Sequence, residues 1–206
     1  NGQAAKQLAK YYDHVLATDA SEQQIRQASA SPNIHYSVAQ ETNARIADHS
    51  IDLVTVAQAI HWFDTDVFFT EVRRVIKPGG VLAVWGYNLL RIEPVIDNLI
   101  DQLYWTTLHN YWPDERKLLE QEYASIHFPF SKIQTPGFEM SQLWTKEQLL
   151  GYLDTWSAVR GYISDKGENP LADFALSLSR HWKGNDVKKI MWPLTLVVTK
   201  AEGDSD

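Results

Sequence analysis

A chain of 206 residues with 44% hydrophobic residues can bury one sizeable core, so a single domain is expected over 1-206. Its formal charge of -7 at pH 7, with 19 Lys and Arg scattered rather than blocked, supplies no basic field for a polyanion and argues against nucleic acid as the partner. With no cysteine there is neither a disulfide framework nor a thiolate metal site, and the seven His show no ligand spacing, so no protein-bound metal is expected.

The first 80 or so residues alternate helical and strand-like segments, the pattern that demands a parallel sheet with helices on its faces. Residues Gln3 to Tyr12 carry Ala5, Leu8, Ala9 and Tyr12 at helical spacing. His14 to Asp19 reads as a short strand, and Ser21 as the N-cap of a helix from Glu22 to Ser29. Pro32 and Asn33 break the chain before a second strand, Ile34 to Ala39. The run Ile51 to Ala57 is β-branched on both faces and predicts an internal strand. Asp64 predicts the cap of a helix reaching about Ile76, with Val67, Phe68, Val72, Val75 and Ile76 buried. Lys77-Pro78-Gly79-Gly80 is expected to stop that helix, and Val81 to Trp85 to form the next strand.

The second half changes character. Glu93 to Tyr123 reads as helical and rich in Tyr and Trp, interrupted at Trp112-Pro113-Asp114. An alternating stretch follows Pro136-Gly137, and Thr145-Lys146-Glu147-Gln148 resembles a capped helix start running to about Thr155. A helix over roughly Pro170 to His181 and a closing strand, Pro193 to Lys200, complete the series.

Four stretches, in order, resemble the class I S-adenosylmethionine-dependent methyltransferases. They are Asn1-Gly2-Gln3-Ala4-Ala5, Ala17-Thr18-Asp19-Ala20-Ser21, the segment from Ser50-Ile51-Asp52-Leu53-Val54 through Ala57-Gln58-Ala59-Ile60-His61-Trp62-Phe63, and Arg73-Arg74-Val75-Ile76-Lys77-Pro78-Gly79-Gly80. The Gln-Ala-Ile-His-Trp-Phe segment and Thr155-Trp156-Ser157 look like the small-acid branch that includes trans-aconitate methyltransferase. The resemblance implies an α/β, Rossmann-like fold: a mostly parallel central sheet, helices on both faces and a helical insertion in the second half. It divides the chain into a cofactor-binding half (1-88), a helical, aromatic-rich substrate side (89-190) and a final strand (191-200). The family's first strand and most of its glycine-rich turn have no counterpart here. The expectation is therefore a fragment with natural residues upstream of Asn1, whose central sheet has lost the partner of two strands.

The implied cofactor is S-adenosylmethionine and the implied partner a small-molecule acceptor, with an oxygen of a carboxylate as one target. Gly2 would let the backbone approach the methionine moiety. Asp19 would accept both ribose hydroxyls, with Ala20 beside the adenosine, and Gln40 and Glu41 would meet the adenine edge. Gln58 ends a strand where ligands gather in open α/β sheets. His61, as acceptor neighbour and candidate base, and Trp62 would border the methyl group, while Trp156 and Arg160 would hold the acceptor. No apolar run nears the roughly 20 residues of a bilayer-crossing helix and no basic leader is present, so a cytoplasmic protein is expected. A silent methyltransferase-like binding module and a nicotinamide-dependent oxidoreductase are the alternatives.

Overall fold

A computed structural model describes residues 2–39 and 46–203. In chain order the elements are α1 (Gln3–Leu8), β1 (Val15–Asp19), α2 (Glu22–Arg26), β2 (Ile34–Val38) and β3 (Ile51–Ala57). Next come α3 (Thr65–Val75), β4 (Ile76–Tyr87), α4 (Pro94–Gln102), α5 (Arg116–Glu120), β5 (Ser131–Ile133) and β6 (Phe138–Trp144). The chain ends with α6 (Lys146–Asp154), α7 (Ser157–Lys166), α8 (Leu171–Leu178) and β7 (Lys188–Lys200). It falls into two compact units, one of residues 1–85, 126–135 and 197–206 and one of residues 86–125 and 136–196.

The first unit carries the parallel strands. β1 pairs with β2 from Val15 opposite Ile34 to Asp19 opposite Val38, and β3 pairs with β4 from Ile51 opposite Ile76 to Ala57 opposite Trp85. No ladder joins these two pairs among the described residues. Asp64 caps α3 by accepting the Val67 amide at 3.2 Å, as its residue type predicts. The buried face of α3 is Phe68, Phe69, Val72 and Val75, while Val67 is exposed. Val67 thus departs from expectation because one residue turns a helix by about 100°, which puts it to the side of a face centred on Phe68 and Val72. Phe63, Phe68, Phe69 and Phe128 form a chain of tilted rings with centroids 5.0 to 5.6 Å apart.

Lys77-Pro78-Gly79-Gly80 does end the helix, yet it lies within β4 rather than ahead of it. The register jumps there, since Ile51 faces Ile76 but Leu53 faces Val81. The extra residues bulge opposite Asp52, whose carboxylate takes the Lys77 ammonium at 2.8 and 2.9 Å. A bulge of this kind depends on the partner strand, and a local reading of Pro and Gly as a stop cannot show it.

The second unit has its own core, which includes Leu90, Ile96, Ile100, Tyr104, Leu108, Leu149, Leu153, Val159, Leu178 and Trp182. The helical stretch from Glu93 to Tyr123 is interrupted around Trp112-Pro113-Asp114 as expected, and before that break α4 is already followed by a π turn, Leu103–Thr107, and a 3-10 turn, His109–Tyr111, with α5 beyond it. Thr145 forms both halves of the expected capping box with Gln148. α7 is a helix that the reading above did not delimit, and α8 is shorter than expected at both ends. β6 pairs antiparallel with β7 from Phe138 opposite Leu194 to Trp144 opposite Lys188, which extends β7 upstream of Pro193. Pro193, lacking an N–H, still contributes its carbonyl, which accepts the Asn88 amide at 3.2 Å.

Trp182 is fully buried and its indole N–H donates to the Asp186 carbonyl at 2.7 Å. Trp182→Ala is expected to cost about 3–5 kcal/mol, read as a lower midpoint in urea unfolding. Tyr123 is 1% exposed, and burial pushes its hydroxyl from 10.0 up to about 12. Between those values the unfolded chain releases a proton that the folded chain keeps, so stability falls as pH rises. Tyr123→Phe should reduce that alkaline loss, measured as the slope of unfolding free energy against pH.

Candidate functional site

Five of the candidate site residues, Asp19, Ala20, Gln58, His61 and Trp62, lie just at or beyond the carboxyl ends of β1 and β3 in the first unit. Gly2 stands at the start of α1 in the left-handed region, φ 76°, and a Cβ there would collide with the Tyr36 hydroxyl. Both facts demand glycine, and they seat the turn against β2. Asp19 closes β1 half-buried, and its Oδ1 accepts the Ser21 amide at 2.8 Å. That bond fixes the carboxylate while leaving the second oxygen and further lone pairs for a ligand. Ala20 is exposed between the two. Gln40 and Glu41 lie outside the described residues.

Past the end of β3, the Gln58 amide donates to the Trp85 carbonyl at 2.8 Å, and Gln58 adopts φ 55°. A non-glycine residue in this region stores strain on the order of 1–3 kcal/mol, which surrounding structure must hold in place. The reversal feeds a 3-10 turn, Ile60–Trp62, anchored by the fully buried Ile60. His61 is 6% exposed and Trp62 57% exposed, their rings tilted at 47° with centroids 5.0 Å apart. One residue of the turn is therefore tucked in and the next presented to solvent.

A cavity of about 540 Å³ lies elsewhere in the same unit, at the amino ends of β3 and β4, lined by His49, Arg73, Lys77, Phe128 and Phe130 among others. It includes part of the Arg73–Gly80 stretch but none of the candidate cofactor, acceptor or catalytic residues. Among the described residues no group of three His, Asp or Glu could hold a metal ion, and no helix is long and apolar enough to cross a membrane.

The two remaining predicted residues belong to the second unit. Trp156 is the N-cap of α7, one position outside the helix, and is half-buried, with its ring 5.3 Å from Trp112 and 5.7 Å from Tyr104. Arg160 is exposed on α7 and forms no ion pair among the described residues. The aromatic cluster instead encloses Arg116, which the sequence reading passed over. Its guanidinium carbon stands 4.6 Å from the Trp112 ring centre, and its Nε donates to the Tyr104 hydroxyl, which in turn donates to Glu120 at 2.5 Å. Burial raises the Tyr104 hydroxyl pKa above its usual range, Arg116 pulls it back, and the bond to Glu120 raises it again. The only local signal was spacing: Trp112, Arg116 and Glu120 follow one another at i, i+4, i+8.

Comparison with known proteins identifies the family. The family model for a methyltransferase domain matches residues 1–84. A protein of Dictyostelium discoideum named as a methyltransferase is 28% identical over 98% of this chain and 80% of its own length. The 2-methyl-6-phytyl-1,4-hydroquinone methyltransferase of Synechocystis is 29% identical over 82% of this chain and 58% of its own length. Among solved structures, one from Anaeromyxobacter dehalogenans named as a type II methyltransferase superposes with TM-score 0.91 at 37% identity, covering 98% of this chain and 86% of that one. At that identity and coverage, the chain belongs to the class I S-adenosylmethionine-dependent methyltransferases, on a Rossmann-like α/β fold.

Proposed function

We propose that this methyltransferase moves a methyl group to a small-molecule acceptor, with a carboxylate oxygen as the acceptor atom, in the cytoplasm. The observation that carries the cofactor half of the reading is Asp19, a half-buried carboxylate closing a parallel strand and fixed by the Ser21 amide. A carboxylate so held suits a pair of vicinal hydroxyls, which it accepts through charge-assisted hydrogen bonds. Gly2, left-handed and without room for a Cβ, suits a close backbone approach to the methionine end. Ala20 and, outside the described residues, Gln40 and Glu41 are assigned to the adenosine.

When bound, S-adenosylmethionine supplies an already activated methyl group on a sulfonium. The tasks left to the chain are alignment and exclusion of water. Gln58, held by the Trp85 carbonyl, sets the strand-end crevice. Trp62 offers an exposed indole face of the kind that favours a sulfonium cation. His61 takes the proton when the acceptor carries one; an ionised carboxylate needs no base. Trp156 and Arg160 are assigned to the acceptor, in keeping with the small-acid branch. Among the described residues β1 and β3 each have a single ladder partner.

Asp19→Ala in the complete protein is expected to weaken S-adenosylhomocysteine binding by about tenfold or more in isothermal titration, through loss of charge-assisted hydrogen bonds. Unchanged affinity would remove Asp19 from the site. A folded wild type that binds no S-adenosylhomocysteine would restore the silent-module alternative.

A further inference from the structure

We propose that the second unit binds a small organic carboxylate on the terminal nitrogens of Arg116, with the planar or apolar body of the ligand against the neighbouring aromatic rings. Three observations lead there. First, the guanidinium is fixed in place: its Nε donates to the Tyr104 hydroxyl and its plane lies against Trp112, 4.6 Å from the ring centre. An arginine held this way loses little further freedom on meeting a ligand.

Second, the chain's own counter-ion is diverted. Glu120, one helical turn on, would ordinarily take the guanidinium fork; its Oε1 instead accepts the Tyr104 hydroxyl at 2.5 Å and stays 3.8 Å from Nε of Arg116. Among the described residues, neither terminal nitrogen of Arg116 donates a hydrogen bond. Four N–H groups in the geometry that suits a carboxylate are left over.

Third, the surroundings are enclosed without being sealed. The Arg116 side chain is 23% exposed, and its charge reaches the half-buried Tyr87, whose hydroxyl pKa it lowers against the larger upward push of burial. The flat apolar neighbours of the guanidinium are the Trp112 ring at 4.6 Å and the Tyr104 ring at 5.4 Å, and Trp156 backs Trp112 edge-on at 5.3 Å. A charged donor set with flat hydrophobic neighbours recognises an organic anion better than a bare inorganic one. The ligand class is the one proposed above for the acceptor, and equating the two rests on that reading; the site itself does not.

The test is titration of the full chain with benzoate and with its neutral counterpart benzamide, followed by tryptophan fluorescence and calorimetry, with S-adenosylhomocysteine titrated alongside. Benzoate is expected to bind at least about tenfold more tightly than benzamide, and Arg116→Gln to remove that preference. Equal binding of the two, or no benzoate binding to folded protein, overturns the proposal. If Arg116→Gln does not fold, the wild-type preference decides by itself. Benzoate binding without S-adenosylhomocysteine binding would keep the carboxylate site and reject the methyl-transfer reading; the reverse pattern would reject the site and keep the enzyme.

Discussion

The β3–β4 ladder determines where the chemistry of the first unit can sit. Its parallel register runs from Ile51 to Ala57, and the Gln58 amide adds one further bond to the Trp85 carbonyl before the chain reverses. Parallel strands deliver the chain to the same edge each time, because every crossover returns it to the opposite one. At that edge the backbone is free to turn away from the sheet, and the left-handed Gln58 makes the turn abrupt. The reversal leads into the 3-10 turn, in which His61 is buried and Trp62 projects. The strain at Gln58 is compensated by the ladder beneath and by the burial of Ile60 just beyond it.

The second unit works on a different principle. Its strands contribute little parallel pairing, and its solidity comes from helices packed around large side chains, with Trp182 and Tyr104 among the fully buried. Rings from Trp144, Tyr152, Trp156, Trp192, Trp112 and Tyr104 touch in succession. Aromatic residues give much buried area for few rotatable bonds, so such a cluster is stiff. Stiffness lets a polar group be embedded in it without being lost, as Arg116, Tyr104 and Glu120 show.

Features whose causes are local could be read from the sequence. Asp64 and Thr145 were recognisable as caps because a cap is decided within four residues, and Ile51 to Ala57 as a strand because its apolar run needs no partner to be seen. The order of Gly2, Asp19, Gln58 and His61 along the chain was enough to suggest the family. Features set by distant partners were hidden. Lys188 and Lys189 join β7 because β6 pairs with them, and Lys77 to Gly80 lie in β4 because Asp52 and Ile51 face that stretch. Arg116 drew no notice in the sequence, since only the fold brings Tyr104 to its Nε and Trp112 beneath its plane.

The π turn at Leu103–Thr107 sets the heading of everything after it. Its closing bond, from the Leu108 amide to the Leu103 carbonyl, encloses one more residue than an α-helical turn would. A one-residue shortening there would restore the α-helical turn and rotate the downstream segment by about 100°. Trp112 and Arg116 would then point in a new direction while the framework of α4 stayed as it is. Because Leu108, Leu119 and Tyr123 downstream are buried, such a deletion would displace core side chains together with Trp112 and Arg116, and the extra residue of the turn is thereby locked in by the packing that follows it.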